Sequence, residues 1–338
     1  MDSIKPYIFR MRPYLCEKVW GGRNLERLFD KPLPANELVG EAWEVADLPE
    51  GQSVVDSGAL AGRTLGQLVA LWGQQLTGSR SEGESFPLLV KILDAQKDLS
   101  IQVHPGDEQV GAIAGARSKD ECWLVLDVAE GGSVLHGFSG AVDRASFACA
   151  VEQGQAVDLL RRIAVAPGDV IRVAPGTVHA ICSGVVLLEM QQPSDTTYRV
   201  YDYGRAGLDG RPRPLHLEQA LAVIDWEGSE AAQLIVERVE AGAHALHVLV
   251  DVPAYRVERL KAAARLRWRV DPGSVQIVFV LDGACRVSGR DGAPVELARG
   301  QTALIPACAG TVELVSHNKH AEVVVAGLGG HVLVDIVE

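Results

Sequence analysis

Short apolar segments separated by glycine and proline recur along the whole chain, and they constrain its fold more than any other feature. The 338 residues include 35 Gly and 16 Pro, which lie between runs rich in Val, Ile and Leu. Such runs, bounded by turn residues, are typical of β-strands joined by hairpins. Because they do not alternate with helical segments, they favour antiparallel barrels or sandwiches over a doubly wound parallel sheet.

The predicted strands form two series, and predicted helices are few. The first series covers residues 39–47, 88–93, 100–104, 121–128, 134–138, 164–173 and 185–191, and the second covers 243–250, 255–260, 275–281, 284–288, 301–305, 312–315 and 321–327. Helical patterns are confined to residues 64–75, 143–151 and 217–224, and the polar, Gly-rich stretch 78–85 is predicted to be a loop.

A weak internal repeat indicates two copies of one barrel. Residues 168–179 resemble residues 300–306 followed by 310–313, since in both a turn glycine precedes a short strand, a proline-containing turn and a second strand. We therefore predict a mainly β fold of two barrels. The first occupies residues 1–240, with the few helices inserted in it or flanking it, and the second occupies residues 241–338.

The overall charge limits the partners. The net charge is −12, from 32 basic and 44 acidic residues, which disfavours nucleic acid and anionic membranes. It leaves room for a phosphorylated small molecule, because a few Lys and Arg side chains can still build a local anion site. No apolar run approaches the ~20 residues of a membrane span, and the N-terminus lacks a signal-peptide pattern. The six scattered cysteines are expected to be reduced, so we expect a cytoplasmic protein.

Polar side chains alternate with apolar ones in the segment from residue 99 to residue 105. Residues two apart on a strand point to the same face, so Ser100, Gln102 and His104 are predicted to share one face. The three apolar residues Leu99, Ile101 and Val103 are predicted to pack on the other.

Two further segments place ionisable residues at the start of an apolar strand. Lys119 and Glu121 are two apart, and His179 follows the turn at Pro175-Gly176. Glu121 and His179 join Gln102 and His104 in a set of N and O donors. This set suits a divalent ion, zinc first, with room for a water or substrate oxygen. Each of these residues taken alone is more often solvated or hydrogen-bonded than a ligand, so spacing alone leaves the metal site open.

These segments resemble the type I phosphomannose isomerases, in particular their shorter bacterial class, which are cupins. The resemblance lies in seven stretches in order along the chain: VWGG (19–22), GEAWEVAD (40–47), LSIQVHP (99–105), KDECW (119–123), GTVHAI (176–181), EMQQ (189–192) and SDTTYRVYD (194–202). It implies two cupin-type jelly-roll barrels and an enzyme that interconverts mannose 6-phosphate and fructose 6-phosphate.

The resemblance also implies roles for particular residues. The family's ligands for one zinc ion per chain match Gln102, His104, Glu121 and His179. Its active-site arginine and pocket lysine match Arg199 and Lys119, and Ser100 and Lys91 are candidates for holding the substrate. Trp20, Trp43 and Glu44 belong to family stretches but are expected to be core or wall. Arg199 lies in a predicted strand that places Thr197, Arg199 and Tyr201 on one face, although an arginine there could equally pair at the surface with Asp195 or Asp202.

Two departures from the family pattern follow. The proline of the turn before His179 is shifted by one position, to Pro175, but the histidine keeps its spacing from Gly176. In the C-terminal repeat an ungapped match places Thr311 opposite His179, and a match of the Gly-Thr-Val triplets places Glu313 there. Neither is a histidine, so the second barrel is expected to be metal-free and structural.

The hypothesis for the reaction is proton transfer between carbons 1 and 2 through a cis-enediol, with zinc as template and electrophile and Arg199 as a fixed positive charge. The general base stays open among Lys119, a zinc-bound water and Glu189. One alternative is another metal-dependent cupin enzyme, a dioxygenase or decarboxylase, although those usually carry His-x-His where this chain has Gln102-Val103-His104. A second alternative is a non-catalytic sugar-binding cupin. The sequence leaves open whether the chain is a monomer or a homodimer.

Overall fold

The computed structural model describes residues 4–111, 115–227, 237–241 (backbone only) and 244–337. The described residues form mainly β-strands, with six short α-helices. The strands build two units, which we call the first barrel and the second barrel.

The first barrel consists of two antiparallel sheets that face each other. In spatial order, the six-stranded sheet contains β12 (Val170–Val173), β9 (Glu121–Val128), β14 (Val185–Gln191), β7 (Leu89–Ala95), β3 (Val39–Val45) and β2 (Tyr14–Gly22). The five-stranded sheet contains β11 (Leu160–Ala164), β10 (Ser133–Phe138), β13 (His179–Ile181), β8 (Ile101–Val103) and β15 (Tyr198–Tyr201). A small two-stranded sheet joins β4 (Asp47–Leu48) to β5 (Gly51–Gln52).

Alternation along the strands gives each sheet of the first barrel an inner and an outer apolar face. Trp123 and Leu187 from the six-stranded sheet pack on Ile181 from the five-stranded sheet in the interior. The outer face of the five-stranded sheet, including Ile101 and Val103, is covered by helices. The barrel is thus closed around a small inner core, and polar side chains that point inward must find partners there.

The second barrel is built on one eleven-stranded sheet. Its main path runs β16 (Glu237–Ala241), β17 (His244–Asp251), β18 (Arg256–Ala262), β23 (Thr311–Gly327), β20 (Gln276–Ser288), β22 (Thr302–Ile305), β1 (Phe9–Arg12) and β6 (Val54–Val55), and β19 (Arg265–Arg269), β21 (Val295–Ala298) and β24 (Asp335–Ile336) attach beside it. Two of these strands come from the N-terminal part of the chain. The predicted division at residue 240 stays a prediction.

An apolar layer joins the two barrels. Along β20, Ile277 and Phe279 face the first barrel, while Val278 and Val280 face the interior of the second. The outer face of the six-stranded sheet supplies residues such as Leu124 to the same layer. Since both barrels bury strand faces in one continuous core, each covers a surface that the other could not leave exposed.

The helices are short and lie at the edges of the sheets. They are α1 (Asn24–Phe29), α2 (Leu65–Trp72), α3 (Gln74–Thr77), α4 (Asp107–Val110), α5 (Arg144–Glu152) and α6 (Leu217–Val223). The α2 and α5 helices begin after Thr64 and Asp143, whose side chains accept hydrogen bonds from the backbone N–H three residues on. The three predicted helices are confirmed, except that Gly73 divides the first into α2 and α3. No helix among the described residues is long and apolar enough to cross a membrane.

Most predicted strands are confirmed, with three informative differences. The predicted strand 164–173 is two strands, because a turn with Gly168 at φ +97° separates β11 from β12. The predicted strands 275–281 and 284–288 form one long strand, β20, and 312–315 and 321–327 form another, β23, and the pairing of β20 with β23 contains register shifts. Strands that the sequence reading missed include β1, β2, β19 and β21, although β1 (FRMR) and β19 (RLRWR) do alternate apolar and polar residues.

Candidate metal centre and pocket

The pairing of strands inside the first barrel brings the predicted ligands together. His179 on β13 lies opposite Gln102 on β8, and Glu121 begins β9 in the facing sheet. The ligand atoms of His104, Glu121 and His179 all lie within 4.8 Å of one another, and all three side chains are buried. Three of the four predicted donors therefore form one compact group.

Backbone carbonyls orient both imidazoles toward the carboxylate. The Nδ1 atom of His104 is 2.9 Å from the carbonyl oxygen of Thr196, and that of His179 is 2.8 Å from the carbonyl oxygen of Thr177. Because a carbonyl only accepts hydrogen bonds, each Nδ1 carries the proton and each Nε2 has a lone pair that can accept. The lone pair of His104 faces Nζ of Lys119, 3.1 Å away. These Nε2 atoms lie 3.7 Å and 3.4 Å from the oxygens of Glu121. Metal-binding histidines are commonly oriented in this way.

Burial keeps both imidazoles neutral. It lowers the pKa of His179 to about 3. The pKa of His104 is lowered well below its ordinary value by burial and by the nearby Lys119 ammonium. A neutral imidazole is the form that binds a metal ion, so the protonation state also suits a metal site.

The fourth predicted donor, Gln102, lies beside the same group. Its Nε2 atom is 3.2 Å from Nε2 of His179. A half-turn of the amide exchanges its nitrogen and oxygen, and the oxygen then occupies the place beside the imidazole lone pair. Gln102 can therefore join the two histidines as a neutral oxygen donor.

Glu121 is a buried carboxylate with too few hydrogen bonds. Neither oxygen has a well-aligned hydrogen-bond donor among the described residues, although Nζ of Lys119 lies 2.5 Å from Oε2 as an ion pair. Burial raises the pKa of Glu121 well above its ordinary value, and the charge of Glu189 raises it further. A divalent cation would offset both effects by stabilising the ionised form. The donor set thus fits a divalent metal ion.

A pocket of about 180 Å³ opens beside this group. Five residues singled out from the sequence line it, namely Lys91, Ser100, Gln102, Lys119 and Arg199. Other residues along its wall are Lys18, Trp20, Glu41, Leu93, Leu99, Trp123, Ile181, Glu189, Asp195, Thr197, Arg213 and His216. The wall is mostly polar, and it carries both signs of charge although the whole chain is acidic.

Buried charges of opposite sign alternate along one side of the pocket. Nζ of Lys91 lies 3.7 Å from Glu189 and 3.8 Å from Asp195, and Nζ of Lys119 lies 3.5 Å from Glu189. Burial lowers the pKa of each lysine, but the surrounding carboxylates outweigh it, so both pKa values are raised. Burial alone would raise the pKa of Glu189, but the two ammonium groups outweigh this effect and lower the pKa. These lysines therefore stay charged, and so does Glu189.

Arg199 lies at the pocket wall on β15, opposite Gln102 on β8. Its Nη1 donates a hydrogen bond to the carbonyl of Pro214 (2.9 Å), and its Nε has no hydrogen-bond partner among the described residues. The alternative pairing with Asp202 is not what the structure has, since Asp202 accepts hydrogen bonds from Arg205 and Arg213. Arg199 thus lines the pocket, and its buried Nε keeps a proton that no described residue accepts.

Two of the predicted face assignments are wrong. Tyr201 does not share the face of Arg199, because the register shifts between them and Tyr201 packs against the outer core. Leu99 lies before the first residue of β8 and packs in the inner core, not with Ile101 and Val103. Ser100 and Gln102, which were predicted to share a face, both line the pocket, and so do Thr197 and Arg199.

Sequence reasoning assigned no role to two residues of the pocket wall, Glu41 and His216. Glu41 accepts a hydrogen bond from Nε1 of Trp43 (2.6 Å) and lies 3.2 Å from Nζ of Lys18. His216 accepts a hydrogen bond from the backbone N–H of Arg199. Glu41 and Trp43 are two apart on a strand, and that spacing was the available signal that they meet on one face.

Comparisons with known proteins point to one family. A family model of the catalytic domain of type I phosphomannose isomerases matches residues 8–122. The mannose-6-phosphate isomerase of Streptococcus mutans is 40% identical over 281 residues, 82% of this chain and 86% of that protein. The solved mannose 6-phosphate isomerase from Bacillus subtilis has a TM-score of 0.86 at 30% identity, covering 97% of this chain and 100% of that one. A mannose 6-phosphate isomerase solved with zinc bound shares the fold (TM-score 0.74, 17% identity, 96% of this chain and 100% of that one). These likenesses confirm the predicted cupin-type, mainly β fold.

We predict that Glu121→Gln releases the metal ion. The substitution keeps the size of the side chain and removes the one anionic donor, so the loss of affinity should exceed the ~10–100-fold typical of a residue that only supports a ligand. Metal per chain, measured by elemental analysis after gel filtration, should fall from about one to near zero. Glu130→Gln makes the same change at an exposed turn residue and should retain the metal. A folded Glu121→Gln protein with a full complement of metal would contradict the assignment.

Proposed function

The chain belongs to the mannose-6-phosphate isomerase family, and we propose that it interconverts mannose 6-phosphate and fructose 6-phosphate as an aldose–ketose isomerase. The observation that carries the proposal is the buried His104–Glu121–His179 group at the edge of a pocket lined by charges of both signs. An isomerase of this kind needs an electrophile, a base and fixed positive charge in one water-poor site. The first barrel supplies residues for each.

We assign Gln102, His104, Glu121 and His179 as the residues that hold one zinc ion. Two neutral imidazoles, a carboxylate and an amide oxygen are ligands that suit a borderline divalent ion, and zinc accepts them with a position left for substrate. A bound zinc ion would supply a Lewis acid for the oxygens at carbons 1 and 2 of the sugar.

The side chains around the pocket bind and polarise the substrate. Ser100 and Lys91 hold it, and the guanidinium of Arg199 places fixed positive charge where the cis-enediol intermediate becomes anionic. Because Arg199 already donates to the carbonyl of Pro214, its orientation is set before the substrate arrives. Such preorganisation is what makes an electrostatic contribution large in a buried site.

Among the side chains open as general base, the charges favour Glu189. Lys119 and Lys91 have raised pKa values and stay protonated, so neither has a lone pair to accept a proton. Glu189 has a lowered pKa and is ionised. When the two ammonium groups turn toward oxygens of the substrate, their hold on Glu189 weakens and its basicity increases. We therefore propose that Glu189 moves the proton between carbons 1 and 2, and that Lys119 donates hydrogen bonds to the reacting oxygens.

The test of the function is turnover of mannose 6-phosphate. With the zinc-loaded protein, an assay that couples fructose 6-phosphate formation to NADPH production should show turnover that chelation abolishes and zinc restores. Consumption of oxygen with stoichiometric iron would instead support a dioxygenase. Binding of sugars without any turnover would support a sugar-binding cupin, and either result would overturn the proposal.

We predict that Arg199→Ala lowers kcat by about 10²–10³-fold, the usual effect of removing one preorganised electrostatic contact. Zinc content should stay near one per chain, because Arg199 is not among the proposed ligands. Arg211→Ala, which removes an exposed arginine of the same region, should leave kcat unchanged. Near-normal turnover in Arg199→Ala would remove the guanidinium from the mechanism.

We predict that Glu189→Gln lowers kcat by about 10²–10⁴-fold, the range expected when a general base is lost. In D₂O the wild-type product should carry solvent deuterium, because a carboxyl base exchanges its proton with the solvent between the two transfers. Glu218→Gln, an exposed glutamate on α6, serves as the control. Full activity in Glu189→Gln would exclude this residue as the base.

Other parts of the sequence interpretation stay proposals. These are the assignment of catalysis to residues 1–240, a structural and metal-free second barrel, a cytoplasmic location, and a monomer or homodimer that binds no nucleic acid. In the second barrel, the position matched to His179 is occupied by Glu313 on one alignment, and this carboxylate forms ion pairs with Arg265 and Arg267. That pairing supports a structural role for the residue.

A further inference from the structure

The strand that carries Glu121 also faces the second barrel. Along β9 and the residue before it, Glu121 and Trp123 point into the first barrel, while Cys122 and Leu124 pack in the apolar layer between the barrels. Asp120 is two residues before Cys122 and therefore points to the same outward face. A contact from the second barrel to Asp120 therefore acts on the residue directly before the proposed metal ligand.

Such a contact exists. Tyr255, the residue before β18, is 1% exposed and belongs to the apolar layer. Its hydroxyl donates a 2.7 Å hydrogen bond to Oδ1 of Asp120. Burial raises the pKa of Tyr255 well above its ordinary value, so the phenol keeps its proton and remains a donor.

Asp120 also has hydrogen-bond partners within the first barrel. Nη2 of Arg172 donates to Oδ2 of Asp120 (2.6 Å), which ties β12 to the start of β9. The backbone N–H of Asp120 donates to the side chain of Gln192 (2.9 Å). The Tyr255 hydroxyl is the contact that joins this network to the second barrel.

The network reaches two of the proposed ligands through the backbone. Glu121 follows Asp120 directly, and the N–H of Lys119 donates to the carbonyl of Pro105 (3.0 Å), the residue after His104. A displacement of Asp120 therefore moves both the carboxylate and one imidazole. Because ligand atoms tolerate only small errors in position, a small displacement is enough to weaken the site.

We propose that Tyr255 of the second barrel is a positioning residue for the metal centre of the first, acting through Asp120 to fix Glu121 and His104. This proposal rests on the proposed zinc site, and it gives the second barrel a defined part in that site although it contributes no ligand. Tyr255 does not touch the pocket or the reacting atoms. Its effect is on the geometry and affinity of the bound ion.

The test is Tyr255→Phe, which removes only the hydroxyl. Zinc affinity, measured by competition with a chromophoric chelator, should fall by about 10-fold, the lower end for residues that support a ligand. The visible spectrum of the cobalt-substituted protein should shift, because the ligand geometry changes. The matched control is Tyr7→Phe, whose hydroxyl accepts a hydrogen bond from the N–H of Leu60 and lies outside this network. It should keep the wild-type affinity and spectrum.

A double-mutant cycle checks the route through Asp120. In an Asp120→Ala background the hydroxyl of Tyr255 has lost its acceptor, so adding Tyr255→Phe should cause no further loss of zinc affinity. Wild-type zinc affinity and an unchanged cobalt spectrum in Tyr255→Phe would overturn the proposal, even if its thermal stability fell. If Tyr255→Phe does not fold, wild-type zinc affinity in Asp120→Ala would overturn the proposal, because the proposed route runs through Asp120. A wild-type protein that binds no zinc would instead overturn the metal assignment itself, before any variant is compared.

Discussion

Four ionisable side chains buried between the sheets of the first barrel are the constraint on which the rest of the site depends. Lys91, Lys119, Glu121 and Glu189 are at most 4% exposed, and an isolated charge at such a position would be very costly. Each is tolerated because it faces opposite charge within 3.7 Å. The arrangement has little reason to exist as stabilisation alone, since apolar residues of similar size would fill the barrel as well or better. A site that moves a proton and stabilises a negative intermediate requires such buried, paired charges.

The pairing of opposite charges in the pocket also explains how an acidic protein can accommodate an acidic substrate. The net charge of −12 is distributed over a surface that salt screens within about 8–10 Å. Inside the pocket, the local balance is set by neighbours at contact distance in a poorly solvated site, where interactions are stronger. Arg199 donates to a backbone carbonyl and pairs with no carboxylate among the described residues, so its positive charge is available to the proposed substrate.

Local rules predicted much of the fold and part of the site. The period of two placed Ser100 and Gln102 on the pocket side, and turn residues placed most strands within one or two residues of their observed ends. They failed where the backbone departs from a regular strand, at the shift before Tyr201 and at Leu99 just outside β8. The prediction that the ligands converge came from family resemblance. Residues 77 positions apart, such as Gln102 and His179, meet only when the barrel closes. The contact of Tyr255 with Asp120, 135 positions apart, leaves no local signal at all.

The β9 strand links the two barrels directly. A β-strand has only two faces, and here one carries Glu121 and Trp123 while the other packs against the second barrel. Any change in the apolar layer that shifts this strand shifts a proposed ligand with it. Under the proposed metal assignment, the second barrel would affect how well the ion is held even if it supplies no ligand, because it fixes the back of the strand whose front carries Glu121. This coupling follows from strand alternation itself, and the Tyr255 hydroxyl is the point at which it becomes a specific, directional contact.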